Sequence, residues 1–148
     1  MLYFKSPSSA AYQTLDSVGF DIPSMENVTL SPGKFVAVST GLFFDVEKNR
    51  EVITFLQKGN SLYIPELQIR SRSGLALKAG IAVLNSPGTI DPLYAQEIKV
   101  ILINHSIKDF DIWVGDRIAQ GVFSLAYRGA NLPILESARV GGFGSTGV

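Results

Sequence analysis

The stretch that decides the fold class is "KFVAVSTGLFFDV", residues 34–46, in which apolar side chains recur at every second position. The even-numbered positions are apolar apart from Thr40; they are Val36, Val38, Leu42, Phe44 and Val46. This period is that of a β-strand, whose successive side chains point to opposite faces of a sheet. The stretch therefore predicts strand structure with one face turned towards a core.

Three segments further along the chain carry the same strand signals. They are "ELQIRS" (66–71), the doubly apolar "IKVILIN" (98–104), which suits a strand buried between two layers, and "RIAQGVFSLAY" (117–127). Turn signals separate such runs at "SPGK" (31–34), "KGN" (58–60) and "SPG" (86–88). Many short strands at this spacing predict an all-β sandwich or barrel.

One segment, "EKNREVITFLQKG" at 47–59, allows two interpretations. Val52, Phe55 and Leu56 have helical spacing, whereas Val52, Thr54 and Leu56 alternate as in a strand. The sequence therefore predicts either a short amphipathic helix or a hairpin strand here.

Length and composition indicate a single domain. The chain has 148 residues, enough for one domain to bury a core. The charges of its thirteen basic and thirteen acidic residues cancel, so neither nucleic acid nor a membrane is an expected partner. Hydrophobic residues make up 46% and charged residues 18%, which favours an oligomer. No apolar run reaches membrane-spanning length and no signal peptide is evident, so we expect a cytoplasmic protein, or one of the host cytoplasm if viral.

Four internal stretches combine turn residues with groups that can carry chemistry: "DSVGFDI" (16–22), "RSRSGLALK" (70–78), "NSPGTIDPLY" (85–94) and "GDRIAQG" (115–121). Arg72, Ser73 and Gly74 offer a guanidinium, a hydroxyl and backbone amides, which suits either a phosphate-binding nest or a plain basic turn. Asp91 is either a general base that orients a water molecule or the acid of an ordinary Asp-Pro turn. The first and last stretches can equally be glycine turns that lead into strands.

The glycine-rich segment "GGFGSTGV", residues 141–148, is costly to order because glycine loses more backbone freedom than other residues. It is either a frayed end or a lid. In the lid interpretation, backbone amides and the hydroxyls of Ser145 and Thr146 cover an anion while Phe143 lies on a flat ring.

The residues that are absent narrow the chemistry. The chain has no cysteine, and its single histidine, His105, lies in the polar turn "INHSIKDF". This composition disfavours a Ser-His-Asp triad and a protein-bound zinc site. The phosphate-loop and dinucleotide-binding patterns are missing as well.

Taken in chain order, these stretches resemble the five sequence motifs of the trimeric dUTPase family. The matching segments are "SVGFDI", "RSGLA", "GTID" followed by Tyr94, "GDRIAQ" and "GGFGSTG". The resemblance implies a jelly-roll or distorted β-barrel subunit, a homotrimer with active sites at subunit junctions, and hydrolysis of dUTP to dUMP and pyrophosphate. It implies a barrel domain over residues 1–138, with an insertion near 47–63, and a flexible arm over 139–148 that closes over a neighbouring active site.

The resemblance also implies roles for residues of the third motif. Asp91 would hold and deprotonate the water that attacks the α-phosphorus in line with the departing pyrophosphate. Tyr94 would lie against the deoxyribose and exclude a 2′-hydroxyl. Asn85 and the neighbouring backbone, at Gly88 and Ile90, would read the uracil edge.

The other motifs would hold the phosphates and the metal ion. The expected substrate contacts are Arg72, Ser73, Gly74 and Gln120 from the body of the protein and Arg139, Phe143, Gly144, Ser145 and Thr146 from the arm, with Phe143 stacked on uracil. The implied cofactor is Mg²⁺, bound mainly by the phosphates and water, with Asp21 acting indirectly on its water shell.

The sequence departs from the family pattern at several positions. Leu93 and Ala95 replace a usual acid and arginine, which removes a salt link near the site, and Ser71 stands where proline is common. Arg139 lies one position too close to the fifth motif, so its contact with the γ-phosphate is an open point.

Two alternatives to an active dUTPase remain. One is a dCTP deaminase-like or bifunctional relative, which the tail "GGFGSTG" argues against. The other is a nucleotide-binding regulatory protein that uses the inserted segment to bind a protein partner.

Overall fold

The computed structural model describes residues 1–6, 9–59 and 61–129. This part of the chain forms eleven strands and two helices. In order they are β1 (Phe4–Ser6), β2 (Phe20–Pro23), β3 (Val28–Leu30), β4 (Phe35–Val38), β5 (Phe43–Phe44), α1 (Val46–Lys58), β6 (Tyr63–Arg70), α2 (Ser73–Ala79), β7 (Ile81–Val83), β8 (Gly88–Ile90), β9 (Val100–Asn104), β10 (Phe110–Ile112) and β11 (Arg117–Tyr127). The prediction of a predominantly β fold is confirmed, and two helices are added to it.

The strands pair antiparallel in four small sheets. The largest has the order β2-β11-β6-β8, a second has the order β4-β9-β7, and two pairs join β1 to β5 and β10 to β3. Between β2 and β6 lies β11, so that Gln120 stands opposite Asp21 on one side and Arg70 on the other. This register brings three sequence-distant motifs to one end of the sheet.

The alternating stretch 34–46 does face a core, although it forms two strands instead of one. Val38, Thr40, Leu42 and Phe44 are buried, as the period of two predicts. The two strands are separated by a loop that contains Gly41. Gly41 has a φ of 67°, a backbone conformation that glycine adopts without strain. The Thr40 hydroxyl donates to the carbonyl of Ile98 and accepts from the N–H of Leu42, which explains how a polar residue fits in this row.

The ambiguous segment is helical. Helix α1 begins after Asp45, whose side chain accepts a hydrogen bond from the N–H of Lys48 at 3.1 Å. Residues on one helical face point inwards: Asn49 and Ile53 are buried, and Val52 and Leu56 are half-buried. Phe55, which the sequence analysis placed on the helical face, is instead 77% exposed. The helix is therefore confirmed, but its buried face is formed by Asn49 and Ile53 beside Val52 and Leu56.

Helix α2 follows β6 almost directly, with Arg72 as its first flanking residue and Gly80, at a φ of 66°, as its last. The predicted turn at the end of a strand is therefore the start of a seven-residue helix. Among the described residues, no helix is long and apolar enough to cross a lipid bilayer.

Candidate active site

The first group of predicted site residues meets at the end of the four-stranded sheet; we call Asp21, Arg72, Arg117 and Gln120 the Asp21 cluster. The Nε atom of Arg72 lies 2.9 Å from Asp21 Oδ1, and the Nη1 atom of Arg117 lies 3.0 Å from Asp21 Oδ2. Arg72 Nη1 also donates to the carbonyl of Arg117 at 2.8 Å. One carboxylate thus holds two guanidinium groups in fixed positions.

The Asp21 cluster carries a surplus positive charge that is exposed to solvent. The Asp21 side chain is only 13% exposed, whereas those of Arg72 and Arg117 are 25% and 50% exposed. Two guanidinium groups against one carboxylate leave one unbalanced positive charge. Because guanidinium groups pair well with phosphate oxygens, the arrangement suits an anionic ligand.

Gln120 is held in place by its surroundings. Its Nε2 donates to the carbonyl of Ser71 at 2.9 Å. A Cβ atom built on Gly19 would lie only 2.8 Å from Gln120 Oε1, so the glycine of the first motif leaves the space that this amide occupies. The close approach shows why a glycine precedes the phenylalanine of "GFD".

Ser73 and Gly74 are the first two residues of α2, next to the Asp21 cluster, and both are exposed. The N–H of Ala76 donates to the carbonyl of Arg72 at 3.0 Å, the hydrogen bond that closes the first helical turn. The amides of Ser73 and Gly74 precede that bond and point away from the helix. They therefore add donors to the positive end of the sheet.

The second group lies beyond β8; we call residues 91–94 the Asp91 turn. Asp91 is exposed, and its carbonyl accepts a hydrogen bond from the N–H of Tyr94 at 3.0 Å. Tyr94 is half-buried and packs against the core. Burial raises the pKa of its phenol, and the negative charge of Glu97 raises it further, so the ring is neutral at physiological pH.

Asn85 and Gly88 lie together at the start of β8. Asn85 is exposed in the turn after β7, while Gly88 is buried and pairs with Ile69 of β6. A Cβ atom on Gly88 would meet Asn85 Nδ2 at 3.2 Å, so the amide lies over the glycine. Ile90 is half-buried, pairs with Leu67 and leads directly into the Asp91 turn.

Glu97 ties the segment after the Asp91 turn to the loop between β4 and β5. Its Oε1 accepts hydrogen bonds from the N–H groups of Thr40 at 3.0 Å and Gly41 at 2.8 Å, and from the hydroxyl of Ser39. Burial raises the pKa of Glu97, but these hydrogen bonds and the charge of Lys99 lower it by more, so the net shift is downwards.

The two groups do not meet within one chain. In the register of β6 with β8, Leu67 faces Ile90, so Asp91 continues to the level of Glu66. Four residues of strand separate Glu66 from Arg70, which is about 13 Å, and Arg72 lies beyond Arg70. Asp91 therefore lies level with the middle of β6, whereas the Asp21 cluster lies at and beyond the strand's last residue.

The predicted Mg²⁺ fits this site only as a partner of the substrate's phosphates. Within residues 1–6, 9–59 and 61–129, no group of three or more His, Cys, Asp or Glu side chains could hold an ion. Each oxygen of Asp21 accepts one arginine hydrogen bond and has a second lone pair, so it can still accept a hydrogen bond from metal-bound water. The donor set matches an ion that keeps most of its hydration.

Several predicted residues lie outside the described part of the chain: Arg139, Phe143, Gly144, Ser145 and Thr146. Two further residues that the structure brings to the site, Arg117 and Glu97, were not predicted from the sequence. Arg117 stands within the quoted stretch "GDRIAQG", but its pairing with Asp21 depends on the register of β11 with β2. Glu97 follows the third motif, and its role depends on a loop 56 to 58 residues away.

Comparison with known proteins gives a consistent result. A family model described as dUTPase matches residues 66–147. A deoxyuridine 5'-triphosphate nucleotidohydrolase of Nautilia profundicola is 45% identical over 141 residues, covering 93% of this chain and 89% of that protein.

Solved structures share the fold. A mutant dUTPase of Staphylococcus bacteriophage 80alpha with dUpNHpp has a TM-score of 0.67 at 21% identity, covering 100% of this chain and 99% of its own. A mutant dUTPase from phage phi11 of S. aureus, described with a structural Mg(II) ion, has a TM-score of 0.67 at 19% identity, covering 95% of this chain and 99% of its own.

Proposed function

The chain belongs to the dUTPase family and is a dUTP diphosphatase, and from this premise we propose that Asp91 activates the water that splits dUTP into dUMP and pyrophosphate. The observation that carries the choice of substrate is the 45% identity to a dUTP nucleotidohydrolase over 93% of the chain. The two groups of site residues supply the chemistry that this reaction needs.

Asp91 is the general base of the proposed reaction. Its carboxylate is exposed directly after β8, where a substrate can approach. The water oxygen forms a bond to the α-phosphorus while the opposite bond, to the oxygen that bridges towards the β-phosphorus, breaks. Asp91 takes the proton and pyrophosphate leaves with the bonding electrons, so the protein's contribution is the placement of one water molecule.

Tyr94 and Asn85 select the nucleoside. The neutral ring of Tyr94 lies against the deoxyribose, and a 2′-hydroxyl would collide with it. The Asn85 amide, held over Gly88, can both donate and accept and so reads the uracil edge together with the backbone at Ile90. Cytosine presents the opposite hydrogen-bonding pattern, which leaves donor facing donor.

The Asp21 cluster binds the triphosphate. Arg72 and Arg117 contribute positive charge in fixed positions, and Ser73, Gly74 and Gln120 contribute hydrogen-bond donors beside them. Fixed donors stabilise the charge that shifts onto pyrophosphate as the bond breaks, because they need no rearrangement during the reaction.

The active site is assembled from more than one copy of the chain, which we take to be a homotrimer. The separation of about 13 Å or more between Asp91 and the Asp21 cluster of the same chain supports this proposal. Exposed apolar side chains support it too, because a second copy would cover them. Examples on the later strands and turns are Trp113, Phe123, Leu125 and Tyr127.

The proposed cofactor is Mg²⁺, which the substrate's phosphates would hold. Bound to the phosphates, it would neutralise the part of their negative charge that the arginines do not balance. Asp21 would accept hydrogen bonds from its water shell through the lone pairs that the arginines do not use. The phi11 phage dUTPase is described with a structural Mg(II) ion, so a protein of this fold can hold magnesium.

Residues 139–148 are the proposed arm that closes over the site of a neighbouring copy, with residues 1–138 as the barrel domain. Glycines let backbone amides approach the phosphates closely. Phe143 would stack on uracil, and Ser145 and Thr146 would donate to the phosphates. A cytoplasmic location stays a prediction from the sequence.

A substrate panel tests the proposal. Purified protein with Mg²⁺ is expected to release pyrophosphate from dUTP, and far more slowly from dCTP, dTTP and UTP. Asp91→Asn keeps the shape of the side chain but removes the base, so we expect turnover to fall at least 100-fold while dUpNHpp still binds. Release of ammonia from dCTP would instead indicate the deaminase alternative, and equal turnover of the variant would remove Asp91 from the mechanism.

A further inference from the structure

Asn49, in the inserted helix α1, is a wholly buried polar side chain with all its main hydrogen bonds made. Its Oδ1 accepts from the N–H of Tyr3 at 2.8 Å. Its Nδ2 donates to the carbonyls of Tyr3 at 3.3 Å and Pro92 at 3.0 Å. One amide therefore connects the chain before β1, helix α1 and the residue that follows Asp91.

The contact with Pro92 falls within the Asp91 turn. Pro92 is buried, and its neighbours are the proposed general base and, two residues on, Tyr94. A buried carbonyl that loses its donor costs free energy, so the position of Pro92 depends on the amide of Asn49. Proline also has a fixed φ, so there is one fewer main-chain rotation between the anchored carbonyl of Pro92 and Asp91.

We propose that Asn49 is a positioning residue for catalysis, through which α1 fixes the Asp91 turn; this rests on the proposed function. Helix α1 is anchored on the same side by a second contact, because the N–H of Asp45 donates to the carbonyl of Tyr3 at 2.9 Å. Buried Ile53 adds apolar packing one turn further along. In this proposal α1 holds the Asp91 turn in position and so contributes to catalysis.

A matched control exists in Asn104 at the end of β9, which is also wholly buried. Its Nδ2 donates to the carbonyls of Leu30 at 2.7 Å and Lys108 at 2.8 Å, and its Oδ1 accepts from the N–H of Ser106 at 2.8 Å. Asn104 thus makes the same three kinds of hydrogen bond as Asn49, but none to the Asp91 turn. Loss of stability alone would affect both positions alike.

The experiment compares Asn49→Asp with Asn104→Asp in the full-length protein, with kcat and KM for dUTP measured by pyrophosphate release below the unfolding range of both variants. We expect kcat to fall about tenfold or more for Asn49→Asp with KM changed less than about threefold, because a displaced base slows chemistry more than binding. Asn104→Asp is expected to keep kcat within about twofold of the parent protein.

The pH dependence of kcat for Asn49→Asp distinguishes a positioning role from a purely structural one. When protonated, the carboxyl group introduced by Asn49→Asp has one O–H, which can donate to the carbonyl of Pro92 or to that of Tyr3; when ionised, it donates to neither. The ratio of the variant's kcat to the parent's should therefore rise as the pH falls. Equal kcat in both variants, or a ratio that does not change with pH, would overturn the inference.

If either variant fails to fold, the inference can still be tested on the parent protein by NMR. Binding of dUpNHpp is expected to shift the NMR resonance of the Asn49 side-chain amide more than that of Asn104, and equal or absent shifts contradict the inference. Failure of the parent protein to hydrolyse dUTP would instead count against the proposed function, which separates the two outcomes.

Discussion

Glu97 links the segment that follows the Asp91 turn to the loop between β4 and β5. One carboxylate oxygen accepts from three consecutive residues, 39–41, and the same residue lies close enough to Tyr94 to raise the pKa of its phenol. Its own pKa is lowered because the charged form receives these hydrogen bonds. The stabilisation therefore belongs to the ionised state.

The pH dependence of stability follows from that shift. A carboxyl group whose pKa is lowered in the folded state stabilises the protein above its ordinary pKa of about 4.3, and the effect is lost as the pH falls towards the folded value. Glu97→Gln should reduce the free energy of unfolding by about 1 kcal/mol at pH 7 in urea titrations, because the amide accepts more weakly. The gap to the parent protein should narrow below about pH 4.

The exposed Glu51, on α1, provides the control for this prediction. Glu51→Gln should change the free energy of unfolding by less than about 0.5 kcal/mol at either pH. If Glu97→Gln behaves in the same way, the hydrogen bonds to Glu97 carry no net stability.

At the scale of single residues, contiguous motifs were readable from the sequence and pairings between motifs were not. Asp91, Tyr94 and Asn85 fall within one stretch of ten residues, so their closeness required no knowledge of the fold. The pairing of Asp21 with Arg72 and Arg117 spans 51 and 96 residues and depends on strand register. Register arises from the burial of whole strands, which a local pattern does not specify.

At the scale of elements, the period of two predicted the buried face of β4 and β5 correctly, because burial follows alternation even where the strand breaks. For the segment that forms α1, the sequence allowed both a helix and a strand. Both patterns considered apolar residues only, whereas the buried face of the helix includes the polar residue Asn49. A protein partner bound through the inserted segment stays a prediction.

The glycine-rich arm gives an element-scale prediction. Removing residues 139–148 should lower kcat/KM for dUTP at least 100-fold, because the proposed arm supplies amides and a stacking ring only when substrate is bound. The barrel should keep its stability and its assembly, which circular dichroism melting and mass measurement would show. A truncated protein as active as the parent would remove the arm from the mechanism.

At the scale of the whole molecule, the separation of Asp91 from the Asp21 cluster is the main constraint. The strand β6 fixes that distance, because both groups are tied to it through antiparallel neighbours, β8 on one side and β11 on the other. A hydrogen-bonded strand does not shorten, so the main-chain positions of the two groups stay apart within one chain. With the roles proposed for Asp91 and the Asp21 cluster, this separation favours a site built from at least two copies of the chain.

The measurement that tests this claim most directly is complementation between two inactive variants, Asp91→Asn and Arg72→Ala. Each is mixed with the other as unfolded chain, refolded together, and assayed for pyrophosphate release from dUTP beside parent protein treated in the same way. If sites are shared, about one quarter of them combine an intact Asp91 with an intact Arg72, so activity should return to about one quarter of the parent's. Activity no higher than that of the separately refolded variants would show that each chain builds its own site, and would contradict the account.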